Sequence, residues 1–123
     1  MDYAPIFVSV YNREIHFKKC IESLEQNKFA DNSHLFVAID APYREEDVAA
    51  NKKIIKYAKG IKGFKELTVF VRHSNLGVWN NRERARREIF EKYDKLIMFE
   101  DDNVFSHNFL AFVNKGLDVF RER

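Results

Sequence analysis

The sequence predicts an α/β fold: a Rossmann-like parallel sheet of about four strands with helices on both faces. Three observations carry this. Four short runs of aliphatic, β-branched and aromatic residues, Pro5–Tyr11, Leu35–Ile39, Leu67–Val71 and Leu96–Phe99, recur along 123 residues. Two are apolar throughout and the other two are interrupted only by Ser9 and Thr68, so none alternates, the pattern of a strand covered on both faces. Between them lie stretches of helical periodicity long enough for crossovers, so the order is β-α-β-α-β-α-β-α and the strands run parallel.

The elements follow in order. Ile6, Phe7, Val8 and Val10 after Pro5 make a buried strand, and Asn12-Arg13-Glu14 turns the chain. A helix is expected from Glu14 to Gln26, where Ile15, Ile21 and Leu24 are spaced among Lys18, Lys19, Glu22 and Glu25. The polar segment Asn27–Ser33 ends it. Leu35–Ile39 is the second strand, closed by Asp40-Ala41-Pro42, and Glu45–Lys59 the second helix, with Val48, Ile54, Ile55 and Ala58 inward. Gly60 and Gly63 punctuate its exit. Leu67–Val71 is the third strand, Ser74–Gly77 a loop, and Val78–Tyr93 an Arg-rich third helix whose arginines face solvent, paired with Glu83 and Glu88. Leu96–Phe99 is a short fourth strand. Ser106 then caps a last helix, His107–Phe120, with Phe109, Leu110, Phe112, Val113, Leu117 and Phe120 on its apolar side.

Bulk properties narrow the class. The chain has room for one domain, burying roughly 65% of the surface that its unfolded form exposes. Its composition, 46% hydrophobic and 33% charged, is that of a globular protein. A net charge of +2 argues against nucleic acid or an anionic membrane as the main partner. No apolar run approaches the roughly 20 residues of a transmembrane segment. Met1-Asp2-Tyr3 places an acid where a signal peptide is basic. The one cysteine, Cys20, sits in a helical pattern beside Ile21 and Leu24 as an inert thiol, and a cytoplasmic location is the expectation.

If all strands are parallel, their ends meet at one edge. They bring Tyr11-Asn12-Arg13, Asp40, Arg72-His73-Ser74-Asn75 and Glu100-Asp101-Asp102 together, a polar set delivered by apolar strands. Glu100-Asp101-Asp102 directly after a buried strand must reach solvent or a cation, and hard divalent ions take such carboxylates together with phosphate oxygens. The alternative for this triplet is a solvated turn capping the next helix. Arg13 and Arg72 suit phosphate oxygens or a base carbonyl, and Asp40 a ribose hydroxyl or base N–H. Gly77 opens the third helix, whose N-terminal N–H groups suit an anion. Any of these residues could instead cap an element. Neither a dinucleotide fingerprint nor a P-loop is present. The histidines, His16, His34, His73 and His107, are too scattered for a zinc site, and only His73 falls at a strand end.

Four stretches, Val10-Tyr11-Asn12-Arg13, Asp40-Ala41-Pro42, Arg72-His73-Ser74-Asn75-Leu76-Gly77 and Leu96–Asp102, resemble in order the N-terminal, nucleotide-sugar-binding half of a GT-A glycosyltransferase of the family 2-like, nucleotide-diphospho-sugar transferase group. Glu100-Asp101-Asp102 resembles an acidic form of that family's D-x-D motif. The following Ser106-His107-Asn108-Phe109-Leu110 is similar to a Ser/Ala-Pro-x-Phe-Leu segment. The resemblance implies substrate binding by Tyr11, Asn12, Arg13, Asp40, Arg72, Asn75, Gly77, Glu100 and Asp101. It implies Asp102 as the ligand of Mn²⁺ or Mg²⁺ on the diphosphate of a nucleotide-sugar donor, a UDP-sugar favoured, with glycosyl transfer to an unknown glycan or other acceptor.

The chain departs from the family at Asp40-Ala41, where a Gly is usual, and in its more basic third helix, where a diphosphate contact from Arg82 is the alternative to a solvated, paired face. It also stops before an acceptor-binding half, so residues 1–123 are expected to be one truncated donor-binding domain. Alone it is expected to be inactive, with no residue to nominate as catalytic base, and full length a hexosyltransferase-type enzyme. Exposed Phe105, Phe109 or Phe112 would favour a homodimer. Two alternatives stay open: a non-catalytic nucleotide or nucleotide-sugar binding module on the same fold, and a receiver-like signalling domain, which the polar ends of the first and third strands fit poorly.

Overall fold

A computed structural model describes residues 3–101, 109–111 and 113–115. Four strands, β1 (Ile6–Val10), β2 (His34–Ile39), β3 (Glu66–Val71) and β4 (Ile97–Glu100), form one sheet in the order β3-β2-β1-β4. Every pairing is parallel: Ile6 lies opposite Leu35 on one side and Ile97 on the other, and His34 opposite Glu66. The helices are α1 (Glu14–Glu25), α2 (Val48–Lys59) and α3 (Val78–Phe90), and residues 109–111 and 113–115 are also helical. None of the helices among the described residues is long and apolar enough to cross a membrane.

The alternation of a strand distributes these residues over two layers. Ile6, Val8, Val10, Leu35, Val37, Ile39, Ile97 and Phe99 point to one face, where they pack with Phe17, Ile21 and Leu24 of α1, Ile54 and Ala58 of α2, and Leu110. Phe7, Phe36 and Ala38 point to the other, against Ala85 and Ile89 of α3. The expected α/β architecture, parallel with helices on both faces, is what the chain adopts. Each fully buried side chain such as Phe7, Phe17 or Leu35 contributes about 1.5–3 kcal/mol of burial energy. The segment around Leu110 is tied down by satisfied buried amides: the Leu110 N–H donates to Asn27 Oδ1 at 2.8 Å, and the Ala4 N–H to Asn114 Oδ1 at 2.7 Å.

Several expectations need correction. The fourth strand is covered on one face only: Ile97 and Phe99 are buried, whereas Met98 is 41% exposed and Glu100 points to solvent. It is an edge strand, and among the described residues no layer covers Met98 on the face that α3 leaves open. The third helix ends at Phe90, not Tyr93, because the Tyr93 hydroxyl turns back to His34 Nδ1 at 2.8 Å. His34 is itself buried, with Nε2 on Thr68 Oγ1 at 2.7 Å, so this histidine, and not the exposed His73, has a structural environment. The second helix begins as a 3₁₀ turn at Glu45–Asp47, and Asn51 joins its inward face. Ile15 is 66% exposed at the start of α1. Of the phenylalanines expected to form a dimer surface, Phe109 packs against Phe99 with ring centroids 5.4 Å apart and the planes tilted by 50°. Phe105 and Phe112 lie outside the described residues, as do the Ser106 cap and both ends of the last helix.

Candidate functional site

The chain runs from β1 outward to β2 and β3, then returns across the sheet to lay β4 on the free side of β1. The order therefore reverses between β1 and β4. In open α/β sheets ligands bind at such a reversal, outside the C-terminal strand ends. A cavity of about 270 Å³ opens there, close to the smaller end of the range for ligand pockets.

The wall from β1 is Tyr11, Asn12 and Arg13, and that from β4 is Glu100 and Asp101. Val78 and Arg82, one turn apart on α3, and Asp40 at the end of β2 also line it. For Arg82 the sequence leaves two readings, a solvated arginine paired along the helix or a contact to a diphosphate. Its Nη2 reaches Glu100 Oε1 at 3.5 Å, both residues lining the cavity, and its buried Nε has no hydrogen-bond partner among the described residues. Two of the other three arginines of α3 do pair along the helix, Arg86 with Glu83 at 2.9 Å and Arg84 with Glu88 at 3.8 Å.

Asp40, Asn75 and Gly77 come together, but chiefly with one another. Asp40 is buried, and its Oδ1 accepts the N–H of Ala41 and of Leu76, both at 2.9 Å. Its Oδ2 accepts the Gly77 N–H at 3.0 Å and Asn75 Nδ2 at 3.3 Å, and Asn75 also donates to the Ala41 carbonyl at 2.8 Å. The anion at the positive entrance of α3 is thus the chain's own carboxylate. Gly77 has φ +84 and ψ 159, a conformation open essentially to glycine alone.

Arg72 goes elsewhere. It is buried beneath α3, with Nε on Asn81 Oδ1 at 2.9 Å, Nη1 on Glu88 at 3.1 Å and its guanidinium 5.0 Å over the Phe70 ring. It does not line the cavity. Its fork geometry serves the joint between β3 and α3.

Sequence reasoning did not single out Asp47, which stands in the acidic run Glu45-Glu46-Asp47. An Asp immediately before a helix ordinarily caps it. Here Asp47 makes no side-chain cap to α2. Its Oδ2 accepts the Tyr11 hydroxyl at 2.7 Å, its Oδ1 Asn12 Nδ2 at 3.2 Å, and Arg44 Nε lies 3.3 Å from Oδ2. The Tyr11 bond above all, and then that of Asn12, holds the Asp47 carboxyl below its ordinary range. The Tyr11 oxygen in turn accepts the Tyr43 N–H at 2.8 Å.

The metal expectation can be tested on the donor set. Glu100 and Asp101 supply two carboxylates to one cavity. Among the described residues no three His, Cys, Asp or Glu side chains converge on a common point. That set suits a hard divalent cation taking the rest of its shell from phosphate and water, and not a closed protein cage. Asp102, the expected ligand, lies outside the described residues.

S. aureus TarS, a glycosyltransferase, superposes on this chain with a TM-score of 0.67 and 15% sequence identity, over 94% of this chain and 19% of that one. The chain has a glycosyltransferase-like fold. At this identity the likeness speaks for the fold and not for the residues of the site. No family model matches the sequence, and no curated protein matches it.

Proposed function

We propose that the chain is the donor-binding part of a glycosyltransferase, taking a nucleotide-diphospho-sugar, a UDP-sugar in the first instance, for transfer to a glycan or other acceptor. The observation that carries this reading is the meeting of Tyr11-Asn12-Arg13, Arg82 and two carboxylates in one cavity at the β1–β4 reversal. The Tyr11 ring and the Val78 side chain offer apolar surface for a base, and Asn12 hydrogen-bonding groups for the nucleoside. Arg13 and Arg82 bring positive charge for phosphate oxygens. Glu100, Asp101 and Asp102 would hold Mn²⁺ or Mg²⁺; when bound, the cation neutralises charge that develops on the departing diphosphate. Arg82 stands ready to exchange its long contact with Glu100 for a phosphate oxygen, which leaves that carboxylate to the cation. Asp40, fully engaged with the loop before α3, acts by holding the wall of the site.

The chain spans 19% of the TarS chain that it matches, so transfer activity and acceptor belong to the proposal about a whole protein. A nucleotide-binding module without transfer activity uses the same cavity. The buried thiol of Cys20 agrees with a reducing, cytoplasmic compartment.

Calorimetric titration of UDP and GDP, with and without Mn²⁺, on wild type and Asp102→Ala tests the reading. Binding that requires the metal and disappears in Asp102→Ala is the expected result. A folded wild-type chain that binds neither nucleotide overturns the donor-site proposal for these residues.

A further inference from the structure

We infer that Asp47, which does not line the cavity, is the positioning residue of the donor site: it fixes the Tyr11 ring and the Asn12 carboxamide and couples them to the exposed Tyr43-Arg44 segment. The inference rests on the donor-site reading above and adds to it a residue behind the wall.

The geometry is a clamp between two segments distant in sequence. Tyr11 and Asn12 leave β1 with no regular structure to hold their side chains, since α1 begins only at Glu14. Both side chains find their partner on the same buried carboxylate, the phenol on one oxygen and the amide on the other. Two acceptors held by one rigid group set the distance between the phenol and the carboxamide. That fixes two rotatable side chains in the cavity wall before any ligand arrives.

Asp47 performs this at the expense of its own helix, because the carboxylate that could cap α2 is turned to β1 instead. Departure from a local rule at the back of a cavity marks a residue held for the site. The clamp also reaches outward. The Tyr11 oxygen accepts the Tyr43 N–H, and Arg44 bonds the same carboxylate. Tyr43 is 80% exposed. The connection from β2 to α2 is therefore latched to the hydroxyl of a residue that lines the cavity.

The test is a double-mutant cycle on UDP affinity in the presence of Mn²⁺, with Tyr11→Phe, Asp47→Asn and the pair, together with amide hydrogen exchange without ligand. Tyr11→Phe keeps the ring and removes one oxygen, so it remains informative should Asp47→Asn fold poorly. The expected result is a loss of roughly tenfold in Tyr11→Phe, an equal or larger loss in Asp47→Asn, which also disturbs the Asn12 bond, and no loss in the pair beyond that of Asp47→Asn, as required when Tyr11 is positioned through Asp47. Exchange of the Tyr43 N–H accelerates in both, whereas that of the Leu76 N–H, held by Asp40, does not change. Losses that multiply in the pair, unchanged affinity in the single variants, or an unaffected Tyr43 amide overturn the inference. A wild type that binds no UDP overturns the donor-site reading and the positioning role with it; Tyr43 exchange then reports whether the clamp exists as a purely structural device.

Discussion

Asp40 Oδ2 accepts the Gly77 N–H at 3.0 Å, so the carboxylate at the end of β2 closes the entrance of α3. Its second oxygen takes the Leu76 N–H, and two consecutive backbone donors end on one buried side chain. Asp40→Ala removes the acceptor of both from a partly buried loop. It should destabilise the chain by about 1–3 kcal/mol, the range for donors left unpaired. Urea unfolding of the two proteins gives the value directly, and a loss under about 1 kcal/mol would show that the loop does not depend on the carboxylate.

Gly77→Ala isolates the backbone. A Cβ at this position meets nothing within 4 Å, so crowding is absent and only the conformation at φ +84 is penalised. The expected destabilisation is about 1–3 kcal/mol with the Asp40 bonds intact. A neutral effect in thermal unfolding would mean that the loop has another accessible path.

Arg82→Ala separates binding from stability. Its ion pair with Glu100 is long and partly exposed, so the folded state should lose less than about 1 kcal/mol. A charge-assisted bond to a diphosphate is worth about 2 kcal/mol, or roughly thirtyfold in affinity. Calorimetry of UDP with Mn²⁺ should show that loss. Equal affinity in the variant would remove Arg82 from the site.

His34 gives the chain an acid-side sensitivity. Burial is the main influence and lowers its pKa; nearby Lys92 and Lys65 act the same way, and Glu66 opposes them. The unfolded chain therefore takes up a proton near pH 6.5 that the folded chain refuses until lower pH. Stability from this group is complete above about pH 6.5 and is lost as pH falls through the lower folded value. Urea midpoints should drop between pH 7 and pH 5 in wild type and drop less steeply in His34→Gln. Parallel slopes in the two proteins would count against this.

Much of the fold was legible because apolar strand runs and helical spacing are local signals. Boundaries failed where a distant partner decided them. Tyr93 reads as helix until His34, far back on β2, captures its hydroxyl. Met98 looks like core because it is apolar, although among the described residues no layer covers it. At the site, residue type revealed the polar strand ends but not what each touches. Asp40 and Arg72 looked alike as charged strand ends; the first anchors a loop and the second is buried under a helix. Asp47 was hidden by its neighbours, since an acidic run before a helix reads as a helix start, and its bonds to Tyr11 and Asn12 cross more than thirty positions of chain.

The ladder joining Ile6 to Ile97 has a consequence for how the molecule comes together. β1, β2 and β3 are successive in the chain and can pair as each is made, whereas β4 must return past all of them. The entropy of closing so large a loop has to be overcome before any contact across it is rewarded. An intermediate with three strands in place would have α1, α2 and most of the apolar layer, yet no groove, because one wall of the groove is the end of β4. Competence to bind should therefore appear with the last step of folding and vanish with the first step of unfolding.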